Sequence, residues 1–143
     1  HCGGGTVNML RDLGIDHRVS QYDLSTNMFD EYDEDENHMI SIADNDENYL
    51  GKVRSILASI DARYDLVLYN AGTDPYPKIS HEVLKERDEL VFQTCSTEQV
   101  PCVFVLAGGY TFSQDMNSLV RSHLVTIEGA SSAVNRTCRP SHV

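Results

Sequence analysis

Two nearly continuous apolar runs stand out in the second half of the chain, DLVLYN at residues 65–70 and PCVFVLA at 101–107. Unbroken apolar runs of this length are typical of strands covered on both faces, as in a parallel sheet. Two more mixed runs, RVSQYDL at 18–24 and HMISIA at 38–43, predict further strands in the first half. The pattern therefore predicts four strands.

Between these runs, apolar residues recur at the three- and four-residue spacing of amphipathic helices. The spacing predicts helices over residues 47–62, 81–95 and 117–129, and a short first helix over 6–13. Ser80 is a candidate N-cap for the helix that follows it. The positions expected to face inward in the three longer helices are Leu50, Val53, Ile56, Leu57 and Ile60, then Val83, Leu84, Leu90 and Val91, then Leu119, Val120, Leu124 and Ile127.

The alternation of strands and helices indicates the α/β class, with a parallel sheet wound by right-handed crossovers. An acidic polar stretch at residues 25–37 interrupts the alternation as a loop, and residues 131–143 are expected to form a loosely held tail. Ligands of such sheets bind outside the carboxyl ends of the strands. Candidate functional residues are therefore sought where the predicted strands end.

Composition and net charge limit the classes of partner that the protein can have. The chain has 143 residues, 41% of them hydrophobic, which is enough for one domain with a buried core. Its net charge of −11 disfavours nucleic acid as a partner, since phosphate would be repelled. The same charge would attract a polyamine or a lysine-rich tail, although acidity more often serves solubility alone. No apolar run approaches the roughly 18 residues of a membrane span, so no membrane association is expected.

The four cysteines form no CxxC pair and show no zinc-finger spacing. Cys102 lies inside an apolar run, where a small core residue is expected rather than a disulfide partner. This cysteine usage predicts a reducing, cytoplasmic compartment.

Asp74 is placed directly after one of the apolar runs, between Gly72-Thr73 and Pro75. Aspartate before proline is common in plain turns, and from this stretch alone a turn residue is the favoured interpretation. The alternative is a metal ligand at the carboxyl end of a buried strand.

Two glycine-containing stretches carry further candidate chemistry. Gly108-Gly109 bring a bare backbone to the end of the last run, and Tyr110 follows them. A phenol there can donate to a polarised carbonyl oxygen, although alone it is more often a packing aromatic. The opening HCGGGT could cradle phosphate but lacks the lysine of a P-loop, so His1 is alternatively a ligand set before a turn.

In this order and spacing, HCGGGT, NAGTDP and LAGGYT resemble the zinc-dependent histone deacetylase family of the arginase/deacetylase superfamily. DLVLYNAGTDP and SHEVLKERDELVF are similar to bacterial deacetylase-like members and acetylpolyamine amidohydrolases. The resemblance covers roughly residues 1–128 and implies the carboxyl-terminal half of a three-layer α/β catalytic domain with a parallel sheet. It implies hydrolysis of N-acyl amines such as acetyl-lysine or an acetylpolyamine.

The resemblance also implies roles for individual residues. His1 and Asp74 match two of the family's zinc ligands, and Tyr110 matches its transition-state tyrosine. The backbone of Gly108-Gly109 matches the wall of the substrate channel. Ser20 is a weaker match to a structural monovalent-cation site, which would hold an ion such as K⁺.

Several family features are absent from this sequence. The aspartate ligand two residues before the histidine, and the upstream histidine pair, have no counterpart, and the loop after Asp74 is short. We therefore expect a partial catalytic domain, inactive by itself, that pairs with a missing amino-terminal half or self-associates. The alternatives are a non-catalytic half-domain that associates with a complementary chain, and a phosphate-binding flavodoxin-like module.

Overall fold

The computed structural model of the chain describes residues 3–111 and 114–137. Helices and strands alternate along it, as the sequence predicts. In chain order they are helix α1 (Gly4–Asp12), a 3₁₀ turn (Asp16–Arg18), strands β1 (Gln21–Ser25) and β2 (His38–Ile42), helix α2 (Asp46–Leu57), strand β3 (Val67–Gly72), helix α3 (His81–Thr97), strand β4 (Cys102–Ala107) and helix α4 (Met116–Thr137).

The chain divides into two compact units, with the boundary between Val53 and Arg54. In the first unit β1 pairs with β2, and in the second β3 pairs with β4; both pairs are parallel. The described strands thus form two small parallel sheets. The combination of helices and parallel strands agrees with the α/β class. Alternation along a chain predicts parallel pairing, but it does not specify which strands become neighbours.

All four predicted strands and all four predicted helices are present, with shifted ends. Helix α2 ends at Leu57, before the predicted end at 62. Helix α4 continues to Thr137, through much of the stretch predicted as a tail, while 138–143 lie outside the described residues. Ser80 caps α3 as predicted, because its hydroxyl oxygen accepts the Val83 N–H at 3.3 Å.

The core of the second unit lies between α3, α4 and one face of the β3–β4 sheet. Phe92 of α3 is at its centre, with edge-on ring contacts to Tyr69 at 5.8 Å and to Phe104 at 5.2 Å between centroids. Val83 and Val91 are buried on the same side of α3, as the helical spacing predicts. Aromatic pairs of this geometry add stability beyond the area they bury.

The opposite face of the β3–β4 sheet is exposed. Leu68 is 75% exposed and its cross-strand neighbour Val103 is 54% exposed, while Val105 is 52% exposed. The expectation that these strands are covered on both faces is therefore wrong for the described structure. An apolar run shows that the side chains on both faces of a strand are apolar. Whether a second layer covers the outer face depends on the tertiary structure.

Helix α4 shows the same discrepancy. Three residues predicted to face inward, Val120, Leu124 and Ile127, are 46%, 50% and 46% exposed, respectively, whereas Thr126 is 1% exposed. The helix thus packs against α3 with a more polar side than its apolar stripe predicts. Among the described helices, none combines the length and the apolarity needed to cross a membrane.

Two cysteines come together where α3 gives way to β4. Cys95 is buried near the end of α3, Cys102 is half-buried at the start of β4, and both are free thiols. The Cys102 thiol donates to the Cys95 sulfur, which lowers the pKa of Cys95. That donation, together with burial, raises the pKa of Cys102.

Candidate functional site

Asp74 lies in a tight turn directly after β3. The N–H of Thr73 donates to the Ala107 carbonyl oxygen at 3.0 Å, which extends the sheet pairing by one bond. The N–H of Tyr76 then donates to the Thr73 carbonyl oxygen at 3.1 Å and closes the turn. The turn leaves the Asp74 side chain exposed at the carboxyl end of the strand. Asp74 is therefore a turn residue, and its carboxylate also projects from the strand tip.

The two glycines after β4 meet this carboxylate. The N–H of Gly109 donates to Asp74 Oδ1 at 3.0 Å, across 35 residues of sequence. Gly108 and Gly109 have φ values of 66° and 81°, a region that disfavours residues with a Cβ. A Cβ on Gly108 would lie 2.4 Å from both Asp74 carboxylate oxygens. Both glycines are thus required by backbone conformation and by close approach.

The other predicted site residues are placed as follows. Tyr110 follows the glycines at the same end of the sheet and is 52% exposed. Ser20 is half-buried just before β1, in the first unit, and its role in a cation site stays a prediction. His1 lies outside the described residues, so its convergence with Asp74 also stays a prediction.

Buried polar groups with unmet hydrogen bonds lie beneath the Gly109 turn. Thr73 and Gln114 are 2% and 8% exposed, and neither the Thr73 hydroxyl nor the Gln114 amide has a hydrogen-bond partner within residues 3–111 and 114–137. A Cβ on Gly109 would be 2.3 Å from Thr73 Oγ1 and 3.5 Å from Gln114 Nε2, so both groups face one small region. A donor and an acceptor this close suit an ordered water. No sequence signal marked Gln114.

A buried ion pair supports the strand tip from below. Arg87 and Asp88 of α3 are 6% and 2% exposed, and Arg87 Nε donates to Asp88 Oδ1 at 2.8 Å. Arg87 Nη1 also donates to the Gly72 carbonyl oxygen at 2.6 Å. This pair was not among the residues predicted from the sequence. Its helical spacing from the inward-facing Leu84 and Val91 was the signal that could have found it.

Asp88 accepts two further hydrogen bonds within the second unit. The Tyr69 hydroxyl of β3 donates to Asp88 Oδ1. The Thr126 hydroxyl of α4 donates to Asp88 Oδ2 at 2.5 Å. Buried charges are tolerated when they are paired and hydrogen-bonded in this way. The network joins β3, α3 and α4 beneath the turn that carries Asp74.

The zinc set implied by the resemblance is incomplete among the described residues. Asp74 Oδ1 accepts a hydrogen bond from the Gly109 N–H, and this bond orients the carboxylate. The other oxygen, Oδ2, is therefore the candidate metal ligand. Within residues 3–111 and 114–137, no group of three His, Cys, Asp or Glu side chains could hold a metal ion. The described residues therefore fit one zinc ligand and not a whole zinc site.

The glycine turn that opens α1 is occupied by an acidic residue. Gly4 N–H donates to the Asp30 carbonyl oxygen at 2.9 Å, and Gly5 N–H donates to Asp30 Oδ2 at 3.3 Å. These are backbone N–H groups that a phosphate at a helix start would use. The arrangement gives no support to the phosphate-binding alternative.

A second pair, between buried His38 and exposed Asp35 of the first unit, was not singled out from the sequence. His38 is 1% exposed, and its Nδ1 lies 2.8 Å from Asp35 Oδ1. Arg11 Nη2 donates to Asp35 Oδ2 at 2.8 Å. The hydrogen bonds from His38 and Arg11 hold the pKa of Asp35 well below its usual range. The pair ties the acidic loop to β2 and α1, which is a structural task.

Comparison with known proteins agrees with the motif resemblance. No family model matches the chain. The chain is similar to histone deacetylase 2 of Arabidopsis thaliana, with 32% identity over 114 aligned residues. The similarity supports the histone deacetylase family. The alignment covers 69% of this chain and 30% of the relative, so the chain spans under a third of that protein's length.

Proposed function

We propose that this chain is part of a zinc-dependent, deacetylase-like hydrolase that cleaves N-acyl amines to a carboxylate and a free amine. The observation that carries the proposal is the contact between Asp74 and Gly109, which brings two of the family-like motifs to one end of a parallel sheet. Similarity to a histone deacetylase supports the reaction class. The geometry of the turn supports Asp74 as the residue that faces the reacting groups.

In this proposal the candidate site residues have separate roles. Asp74 and His1 are two of the metal ligands, and zinc supplies Lewis-acid chemistry when it is bound. Tyr110 would donate a hydrogen bond from its phenol to the acyl oxygen as negative charge develops there. The Gly108-Gly109 backbone forms a wall of the substrate channel, since side chains are absent there.

The substrate class follows from the same resemblance and from charge. Acetyl-lysine in a basic tail and acetylpolyamines both carry positive charge beside the acyl group. A chain with a net charge of −11 would attract either. We further propose a cytoplasmic protein of the bacterial deacetylase-like type, with the chain forming the carboxyl-terminal half of a three-layer catalytic domain.

The second candidate is a non-catalytic half-domain that associates with a complementary chain, and one observation supports it as well as the first. The exposed apolar face that contains Leu68, Val103 and Val105 is the kind of surface another layer covers in a parallel sheet. In both candidates this face contacts additional chain. They differ in whether the completed assembly hydrolyses amides.

The test measures hydrolysis and metal content of the full-length gene product. We expect release of acetate from an acetyl-lysine peptide or an acetylpolyamine, and about one zinc per protein. Asp74→Asn should lower zinc affinity and abolish turnover, whereas Asp61→Asn, at a side chain of the same unit that is 45% exposed, should change neither. Stoichiometric zinc without hydrolysis of either substrate would contradict the enzyme and favour the half-domain. Unchanged zinc affinity in Asp74→Asn would contradict the assigned ligand.

A further inference from the structure

The peptide unit between Gly72 and Thr73 is held on both sides. Its carbonyl oxygen accepts from Arg87 Nη1 at 2.6 Å, and its N–H donates to the Ala107 carbonyl oxygen at 3.0 Å. The C=O and N–H of a trans peptide point in opposite directions within one plane. The two hydrogen bonds therefore fix the orientation of the plane that leads into Asp74.

The guanidinium of Arg87 is itself held in place. Arg87 Nη2 lies 2.8 Å from Asp88 Oδ1, the same oxygen that Nε contacts. Asp88 is anchored in turn by the hydroxyls of Tyr69 and Thr126. The chain of contacts runs from α4 through Asp88 and Arg87 to the last carbonyl of β3. Rotation of the guanidinium would leave buried charges and a carbonyl without partners, which is costly.

We propose that Arg87 is a positioning residue for the contact between Asp74 and Gly109. By fixing the plane before Thr73, it sets the direction in which the chain leaves β3 and so places the Asp74 carboxylate on the Gly109 N–H. Lysine cannot replace it, because one ammonium nitrogen cannot reach Asp88 and the Gly72 carbonyl with the geometry of a planar fork. Any benefit to metal or substrate binding rests on the proposed function, whereas the positioning itself does not.

The experiment measures hydrogen–deuterium exchange of the Gly109 amide by NMR, in the 143-residue chain without metal or substrate. Because that amide donates to Asp74 Oδ1, it should exchange more slowly than a free amide in the wild type and lose this protection in Asp74→Ala. We call this protection the Gly109 response. In Arg87→Met and in Arg87→Lys we expect it to be at least twofold smaller.

The second unit contains an internal control of the same chemistry. The amides of Asn117 and Ser118 donate to Asp115 Oδ1 at 2.9 and 3.1 Å. Their exchange rates should stay as in the wild type when Arg87 is changed, since this cap of α4 is local. Val83→Ala removes packing from the same helix and should leave the Gly109 response intact.

Thr126→Val is the milder variant, since it removes one hydrogen bond to Asp88 and keeps the ion pair. Thr126→Val should also reduce the Gly109 response. If the Arg87 variants do not fold, this variant provides the test of the proposal. A full Gly109 response in folded Arg87 variants, or in Thr126→Val where they do not fold, would overturn the proposal. Failure of the proposed function would show instead as absent hydrolysis, with the Gly109 response unaffected.

Discussion

The backbone N–H of Gly109 donates to the Asp74 carboxylate at 3.0 Å, so a residue after one strand is tied to a residue after its parallel neighbour. Both lie at the carboxyl end of the β3–β4 sheet, where parallel α/β sheets place their ligands. The contact explains why a carboxylate and two glycines follow apolar strands. It also makes the strand tip sensitive to small changes of shape.

Gly109→Ala should destabilise the second unit. The residue has a φ of 81°, and an added Cβ would lie 2.2 Å from Leu119 Cδ1 and 2.3 Å from Thr73 Oγ1. The left-handed backbone alone costs about 1–2 kcal/mol for a residue with a Cβ, and the clash adds to it. Urea denaturation would measure the change in the free energy of unfolding.

Gly129→Ala is the matched control for that variant. Gly129 lies within α4 of the same unit, and its added Cβ would approach Phe92 no closer than 3.4 Å. Replacing an interior helical glycine by alanine should be neutral or stabilise by up to about 1 kcal/mol. Equal effects of the two substitutions would contradict the constraint at Gly109.

Under the proposed function, Tyr110→Phe should lower turnover of the full-length protein by about 100- to 1,000-fold, because it would remove one oxyanion donor. The residue is 52% exposed after two glycines, so loss of its hydroxyl should leave folding and zinc content unchanged. Steady-state kinetics with parallel metal analysis would check both parts. Wild-type turnover in the variant would refute the catalytic role, and loss of zinc would indicate a structural one.

The first unit should lose stability in acid through Asp35. Its pKa is lowered from the ordinary value of 3.8, mainly by the hydrogen bonds from His38 and Arg11. A carboxylate whose pKa is depressed by folding stabilises fully above its unfolded pKa, and the contribution is lost as pH falls toward the folded value. Unfolding free energies at about pH 6 and about pH 3 should therefore differ less in Asp35→Asn than in the wild type.

Asp33→Asn is the control for this pH dependence. Asp33 lies in the same acidic loop, and Arg11 contacts its backbone carbonyl oxygen at 2.7 Å rather than its carboxylate. The variant should keep the wild-type difference between the two pH values. If Asp35→Asn also keeps it, the acid sensitivity comes from another group.

The isolated chain should self-associate through the exposed face of the β3–β4 sheet. Leu68 and Val103 are direct cross-strand neighbours, 75% and 54% exposed. Replacing both by threonine keeps β propensity while removing apolar area, and should raise the monomer fraction in sedimentation experiments. Phe29→Ser, at a 61% exposed site in the other unit, should not do so. A wild-type chain that stays monomeric at high concentration would contradict the expectation.

The sequence by itself determined the helices and strands, their parallel pairing, and the candidate residues Asp74 and Tyr110. This was possible because hydrophobic periodicity and turn chemistry are local properties of the chain. Tertiary structure decided which strands became neighbours, and it left the outer face of Leu68 and the stripe of α4 uncovered. It also brought the Arg87–Asp88 ion pair to the Gly72 carbonyl oxygen. Helical spacing shows which way a side chain faces, but it does not show which group of another element the side chain will contact. The contact between Asp74 and Gly109 depends on both levels: the glycines permit it, and the pairing of β3 with β4 brings it about.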